Sequence, residues 1–181
     1  MIDFSKNHFE LFELPVSYAV DSELLSSRYR EMQRVLHPDK FANATDQQRR
    51  LSMQAAARVN EAYQVLRDPM LRAKYLLLLQ GVDMDAKQST TQDMAFLMEQ
   101  MELREKLEHS RSAEDPYQVI DELKRDIKKR LDVLVEQMTG KLDPISAEHL
   151  EAAEELVRKM QFLQKLHHDA ESLEAELDEA Y

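Results

Sequence analysis

The chain reads as an all-α protein built from two helical units. Three observations lead there. Only 2 of its 181 residues are Gly and 5 are Pro, while Leu, Glu, Gln, Met and Ala are plentiful, a composition that favours helix. Apolar residues recur at helical spacing, and no β-branched run alternates with period two, so no sheet is expected. Charge also changes along the chain. Residues 1–80 carry 11 Lys/Arg against 10 Asp/Glu, and residues 81–181 carry 13 against 25, so the first part is +1 and the second −12 within a net charge of −11. That step falls beside Gly81. It predicts a first domain over residues 1–80, a connector over 81–91 and a second domain over 92–181.

The elements follow in order. His8 to Leu14 is a short apolar segment stopped by Pro15. Asp21 reads as the N-cap of a helix running to Leu36, with Glu23 in the first turn, where the helix dipole favours an anion. Its apolar face is Leu24, Leu25, Tyr29, Met32, Val35 and Leu36, and Arg30 and Arg34 share a neighbouring flank. Pro38 lacks an N–H and pushes His37 out of the α region, so His37, Pro38 and Asp39 should stand on a loop. Asp46 can cap the next helix, whose stripe is Leu51, Ala55, Val59, Ala62/Tyr63 and Leu66 and which ends at Arg67. Asp68-Pro69 is a cap followed by proline at the first helical position, starting a short helix to Leu79 that Gln80-Gly81 terminates.

Beyond the connector, Thr90/Thr91 with Asp93 mark a helix over about Gln92 to Ser110. Asp115-Pro116 opens a long helix with Ile120, Leu123, Ile127, Leu131, Leu134 and Met138 on one face, closed by Gly140. Ser146 can cap the last, whose stripe runs from Leu150 to Leu177. Short connections make neighbours antiparallel, and a three-helix bundle is the economical arrangement.

Several function classes fall away. With no cysteine, the chain has no disulfide, no thiolate nucleophile and no Cys-ligated metal or iron–sulfur site. No apolar run exceeds Tyr75 to Leu79, far short of a membrane span. The acidic balance disfavours nucleic acid, whose phosphates need a basic face. The first residues show neither an apolar signal core nor an Arg-rich transit pattern, and the expectation is a cytoplasmic protein. His37 and Asp39 invite an acid–base reading, yet no nucleophile, phosphate loop or ligand set converges on them, so no enzyme, cofactor or metal is expected. His167-His168 point about 100° apart on a helix and read as surface residues.

The tripeptide His37-Pro38-Asp39 follows a helix bearing Tyr29-Arg30. It precedes Asn60-Glu61-Ala62-Tyr63-Gln64-Val65-Leu66, then Asp68-Pro69, Arg72-Ala73 and Tyr75. Together these make the first 80 residues resemble a J-domain, a helical hairpin by which co-chaperones act on a DnaK-class ATPase. The chain departs from the usual pattern in three ways. Ser26, Ser27 and Val35 stand where lysines are common, Arg28 replaces a small apolar residue on the buried side, and Leu76-Leu77-Leu78-Leu79 replaces a polar continuation after Tyr75. A leucine run there predicts packing against the second domain in a fixed arrangement. Arg28 could pair with an acid across that junction.

With Met94-Ala95-Phe96-Leu97-Met98-Glu99-Gln100-Met101-Glu102-Leu103-Arg104-Glu105 and Arg158-Lys159-Met160-Gln161-Phe162-Leu163, the whole chain resembles the HscB-type co-chaperones of bacterial iron–sulfur cluster assembly. The resemblance implies two partners, an HscA-type ATPase and an IscU-type cluster scaffold. It implies that His37, Pro38 and Asp39 dock on the ATPase, flanked by Arg30, Arg34 and Lys40 as an orienting cationic face. It implies that Leu97, Met98, Met101, Glu102, Glu105 and Phe162 meet the scaffold, with Met101 standing where the family commonly has leucine. Helical geometry separates two apolar arcs on residues 92–110: Phe96, Leu103 and Leu107 on one side, and Met94, Leu97, Met98 and Met101 roughly opposite. A helix in a small bundle buries one face, so the second arc must pack on the first domain or meet a partner. Flexible, polarisable methionines suit a partner surface.

Two other readings compete. A general J-protein for DnaK-type client folding would be expected to carry a Gly/Phe-rich linker, zinc-binding cysteines or a β-rich client-binding region, none of which is present. A structural helical adaptor would leave the spacing from Tyr63 to Tyr75 without a reason.

Overall fold

A computed structural model describes residues 3–41, 44–86, 91 and 93–179. Seven α-helices form there: α1 (His8–Leu11), α2 (Ser22–Leu36), α3 (Asp46–Arg67), α4 (Pro69–Leu79), α5 (Met94–Ser110), α6 (Pro116–Leu142) and α7 (Leu150–Glu179). Short 3₁₀ turns occupy Pro38–Phe41 and Ala147–His149. No strand forms among the described residues. Helices α2 and α3 make an antiparallel hairpin braced by α1 and α4, and α5, α6 and α7 make the bundle.

Most helix ends carry the expected chemistry. Asp21 accepts from the Glu23 and Leu24 amides, both at 3.0 Å, and Asp68 accepts from the Leu71 amide at 2.9 Å ahead of Pro69. Asp93 caps α5 through the Phe96 amide at 3.1 Å. The part of that predicted start resting on Thr90 and Gln92 lies outside the described residues. Thr91 is buried and accepts from the Asp93 amide at 3.2 Å.

Three expectations about the ends, and one about Arg28, are corrected. Thr45, not Asp46, caps α3, because only its hydroxyl reaches the Gln48 amide while Gln48 answers the Thr45 amide. Gly140 does not close α6. The helix runs two residues further and buries Leu142 completely, and Asp143-Pro144 ends it. Ser146 makes no side-chain cap, and a 3₁₀ turn leads into α7 instead. Arg28 pairs with Glu13, two residues past the end of α1 and with a left-handed φ of 52°, so its partner lies inside the first domain and not across the junction.

Burial follows the predicted stripes with instructive exceptions. Ala55, Val59, Ala62 and Leu66 of α3 are buried, as are Ile120, Leu123, Ile127, Leu134 and Met138 of α6. On α2 only Leu25 is fully buried. Leu24, Val35 and Leu51 are exposed, the last two lining an open groove of about 830 Å³ between α2 and α3.

The two domains share one core. Leu76 and Leu77 are fully buried, and α4 packs on both α6 and α7, which explains half of the leucine run. Leu78 and Leu79 face outward, because four consecutive helical positions cannot all point to one side. A polar latch reinforces the seam. The Ser17 hydroxyl and the Tyr18 and Ala19 amides donate to the Asp143 carboxylate at 2.8, 2.8 and 2.6 Å. Beside it, the Arg72 guanidinium lies over the buried Tyr18 ring at 4.9 Å and donates to the Leu66 carbonyl at 2.5 Å. Burial pushes the Tyr18 hydroxyl up to about 12. Gln164 of α7 reaches Asp68 at 3.4 Å.

Candidate partner-binding surfaces

The first surface is the turn after α2. The hairpin beneath it is fixed by a ring stack between Tyr29 and Tyr63, with centroids 3.9 Å apart and planes inclined by 10°. The Tyr29 hydroxyl and the Gln33 amide both donate to Asn60 Oδ1, at 3.0 and 3.1 Å. Sequence periodicity gave Tyr29 and Tyr63 an apolar role, but the polar clamp on Asn60 comes from the third dimension.

Above that clamp α2 stops at Leu36. His37 turns out with ψ of 131°, as proline demands of its predecessor, and its carbonyl accepts from the Lys40 amide at 3.0 Å. The expected loop is closed by a tight 3₁₀ turn over Pro38–Phe41. It brings His37 Nδ1 to 3.5 Å from an Asp39 carboxylate oxygen, with the Asp39 amide 3.4 Å from the same nitrogen. Both side chains are exposed. Arg30, Arg34 and Lys40 are exposed too, and no described residue forms an ion pair with them. Cations left without internal partners remain available to an acidic one.

The second surface is the outer face of α5. Phe96 and Leu103 are buried and Leu107 half-buried, while Met94, Met98 and Met101 are exposed and Leu97 is half-buried. The two predicted arcs are thus distinct in space, and Met94, Met98 and Met101 of the second are not core. At 100° per residue Met94, Met98, Met101 and Glu105 fall within about 60° of one another, with Leu97 on one side and Glu102 on the other. Glu102 and Glu105 are exposed.

Phe162 approaches from α7. Its ring is half-buried, edge-on to Phe96 with centroids 5.7 Å apart, and the Arg104 guanidinium lies 5.3 Å from its centre. Arg104 continues the helical row Leu97–Met101 by three residues, so Phe162 lies along the border of the methionine face. Lys159 ties the start of α5 to α7, reaching Asp93 at 2.6 Å with its ammonium 5.2 Å from the Phe96 ring. That pairing holds the Asp93 carboxyl below its ordinary range.

Neither surface has the makings of a metal centre. Among the described residues no group of three or more His, Asp or Glu side chains could hold an ion, and His167 and His168 both lean toward Glu171 alone, at 3.6 and 3.9 Å. No helix among them is long and apolar enough to cross a membrane.

Comparison with known proteins agrees with this geometry. Residues 7–75 match the DnaJ domain family, and residues 92–171 match the family described as the HSCB C-terminal oligomerisation domain. A co-chaperone HscB homologue of Shewanella baltica is 44% identical over 168 residues, covering 93% of this chain and 97% of that protein. The chaperone HscB from Vibrio cholerae superposes with a TM-score of 0.80 at 39% identity, over 95% of this chain and 99% of the other. The crystal structure of the human co-chaperone HscB gives 0.82 at 27% identity, over 95% and 84%. An N-terminal J-domain hairpin packed on a C-terminal three-helix bundle, with sequence likeness along nearly its whole length, places the chain in the HscB co-chaperone family.

Proposed function

We propose that this protein stimulates ATP hydrolysis by an HscA-type chaperone of the DnaK class and delivers to it an IscU-type iron–sulfur scaffold. Cluster transfer to recipient proteins follows from that delivery. The observation that carries the reading is the pairing of two exposed surfaces on one continuous core. Residues 1–80 offer the His37-Pro38-Asp39 turn with Arg30, Arg34 and Lys40. Residues 92–181 offer Leu97, Met98, Met101, Glu102 and Glu105 with Phe162 at the edge, and residues 81–91 connect them. The protein acts as a regulator and not as a catalyst, in the bacterial cytoplasm. With no cysteine of its own, it leaves cluster ligation to the scaffold.

The roles divide by chemistry. The cationic flank steers the encounter with an acidic patch on the ATPase. The compact turn then presents an imidazole and a carboxylate in one orientation. On α5, apolar methionines bordered by carboxylates accept an apolar patch bordered by cations, and Met flexibility tolerates imperfect fit.

Steady-state ATPase assays of HscA-type and DnaK-type chaperones test this, each with and without scaffold. The expected result is stimulation of the HscA-type enzyme that rises further with scaffold and disappears in His37→Gln. Stimulation of neither enzyme would sink the co-chaperone role. Equal stimulation of both without a scaffold effect would point to a general J-protein.

A further inference from the structure

Ten methionines and no cysteine make the thioether this chain's only sulfur chemistry. The described methionines fall into three groups, with Met32 and Met70 half-buried between the extremes. Met84, Met138 and Met160 are at most 8% exposed. Met94, Met98 and Met101 are 71%, 63% and 72% exposed and share one row of α5. Met53, 69% exposed, stands apart on α3. Oxidation of a thioether depends on access of the oxidant to sulfur, so this partition sets an order of reactivity.

We infer that the α5 row is a reversible oxidation site, at which peroxides convert Met98 and Met101 to sulfoxides and thereby release the scaffold. This rests on reading α5 as the scaffold-binding face. The chemistry is self-contained. A sulfur lone pair attacks one oxygen of hydrogen peroxide, the O–O bond breaks and an S–O bond forms. The attacked oxygen's proton passes to the departing hydroxide, which leaves as water. Sulfur loses two electrons and peroxide gains them. A thiol-dependent methionine sulfoxide reductase reverses the change: two thiols become a disulfide, and the sulfoxide oxygen leaves as water.

The consequence follows from what surrounds the row. A sulfoxide oxygen is a strong hydrogen-bond acceptor, and covering it without a donor is costly. The bordering side chains Glu102 and Glu105 are carboxylates, and Arg104, the neighbouring cation, already lies over the Phe162 ring. An oxidised face would therefore present acceptors beside acceptors where an apolar partner must seat. The His37 turn carries no sulfur and keeps its function, so oxidation separates the two activities.

The test uses the full-length protein, treated with hydrogen peroxide and freed of it before untreated IscU-type scaffold is added. Peptide mass spectrometry should find Met94, Met98 and Met101 oxidised well before Met138 and Met160. Scaffold affinity of the treated protein should fall at least tenfold and return after methionine sulfoxide reductase. Stimulation of the chaperone without scaffold should persist. A M94L/M98L/M101L variant, compared with itself before and after peroxide, should show no loss, although its Met53 still oxidises. Equal oxidation of buried and exposed methionines would overturn the inference. So would an unchanged affinity in the treated protein, or the same loss in the leucine variant. M98E/M101E in untreated protein separates the two layers. If it leaves scaffold binding intact, the surface reading fails and the switch with it. If it weakens binding while peroxide does not, only the switch fails.

Discussion

Replacing Asp143 with alanine removes one carboxylate that three donors of the other domain reach, leaving two amides without that acceptor while the Ser17 hydroxyl can turn to the Ala19 carbonyl at 3.2 Å. The Ser17 hydroxyl and the Tyr18 and Ala19 amides reach it at 2.6–2.8 Å. Hydrogen bonds to a charged group contribute about 1.5–3 kcal/mol each when enclosed. Ala19 is exposed and Ser17 and Asp143 are half-exposed, so water replaces part of what is lost. A total of about 2–4 kcal/mol is expected for Asp143→Ala in urea unfolding, and about half of that for Asp143→Asn, which keeps one acceptor oxygen. Unfolding should remain a single transition, because Leu76 and Leu77 still tie both domains to one core. Hydrogen exchange at the Tyr18 and Ala19 amides should accelerate. A loss below about 0.5 kcal/mol, the ordinary effect of a surface change, would refute the claim that this carboxylate holds the seam.

Other outcomes can be checked as directly. His8 is buried and stacked on Tyr75 at 4.1 Å, and burial lowers its pKa from 6.5 to about 4. The folded state thus resists a proton that the unfolded chain accepts. Stability on this account is full above pH 6.5 and falls as pH drops toward 4, by about 3 kcal/mol in all. His8→Phe should flatten that part of the profile in urea titrations between pH 7 and 4.5. Leu97→Ala, Met98→Ala and Met101→Ala combined should weaken scaffold binding at least tenfold while costing about 1 kcal/mol or less of stability, since two of the three side chains are exposed. A loss of several kcal/mol would mean that the face is core. Arg30→Ala with Arg34→Ala should slow association with the chaperone and flatten its salt dependence, measured by stopped flow, with little change in thermal stability.

The all-α class, the hairpin and the bundle were legible because each rests on local signals: helical spacing, Asp-Pro helix starts and a proline stop after α2. The opposed arcs of α5 could also be read, since two apolar faces on one helix of a small bundle force the question of what covers the second. Position within each stripe was less legible. Leu24, Val35 and Leu51 have the right spacing, yet periodicity does not say how closely two helices approach, and these residues meet open space. The latch at Asp143 lay outside the sequence's reach. Nothing in the local pattern singles out Asp143, and its real partners are more than 120 positions away. Arg28 failed for the same reason in reverse. A charge on a buried flank called for a distant acid, and Glu13 supplied one nearby.

The seam built from Leu76, Leu77 and Asp143 bears on how two partners meet. A flexible linker would let a protein bound on α5 sweep through a wide volume, so that reaching the tripeptide would remain a search. On the proposed function, a rigid seam would make that second encounter intramolecular at one geometry, with an effective concentration set by packing and not by chain length. Loosening the seam would dilute the bound scaffold with respect to the ATPase while leaving the affinity of each surface, measured alone, unchanged.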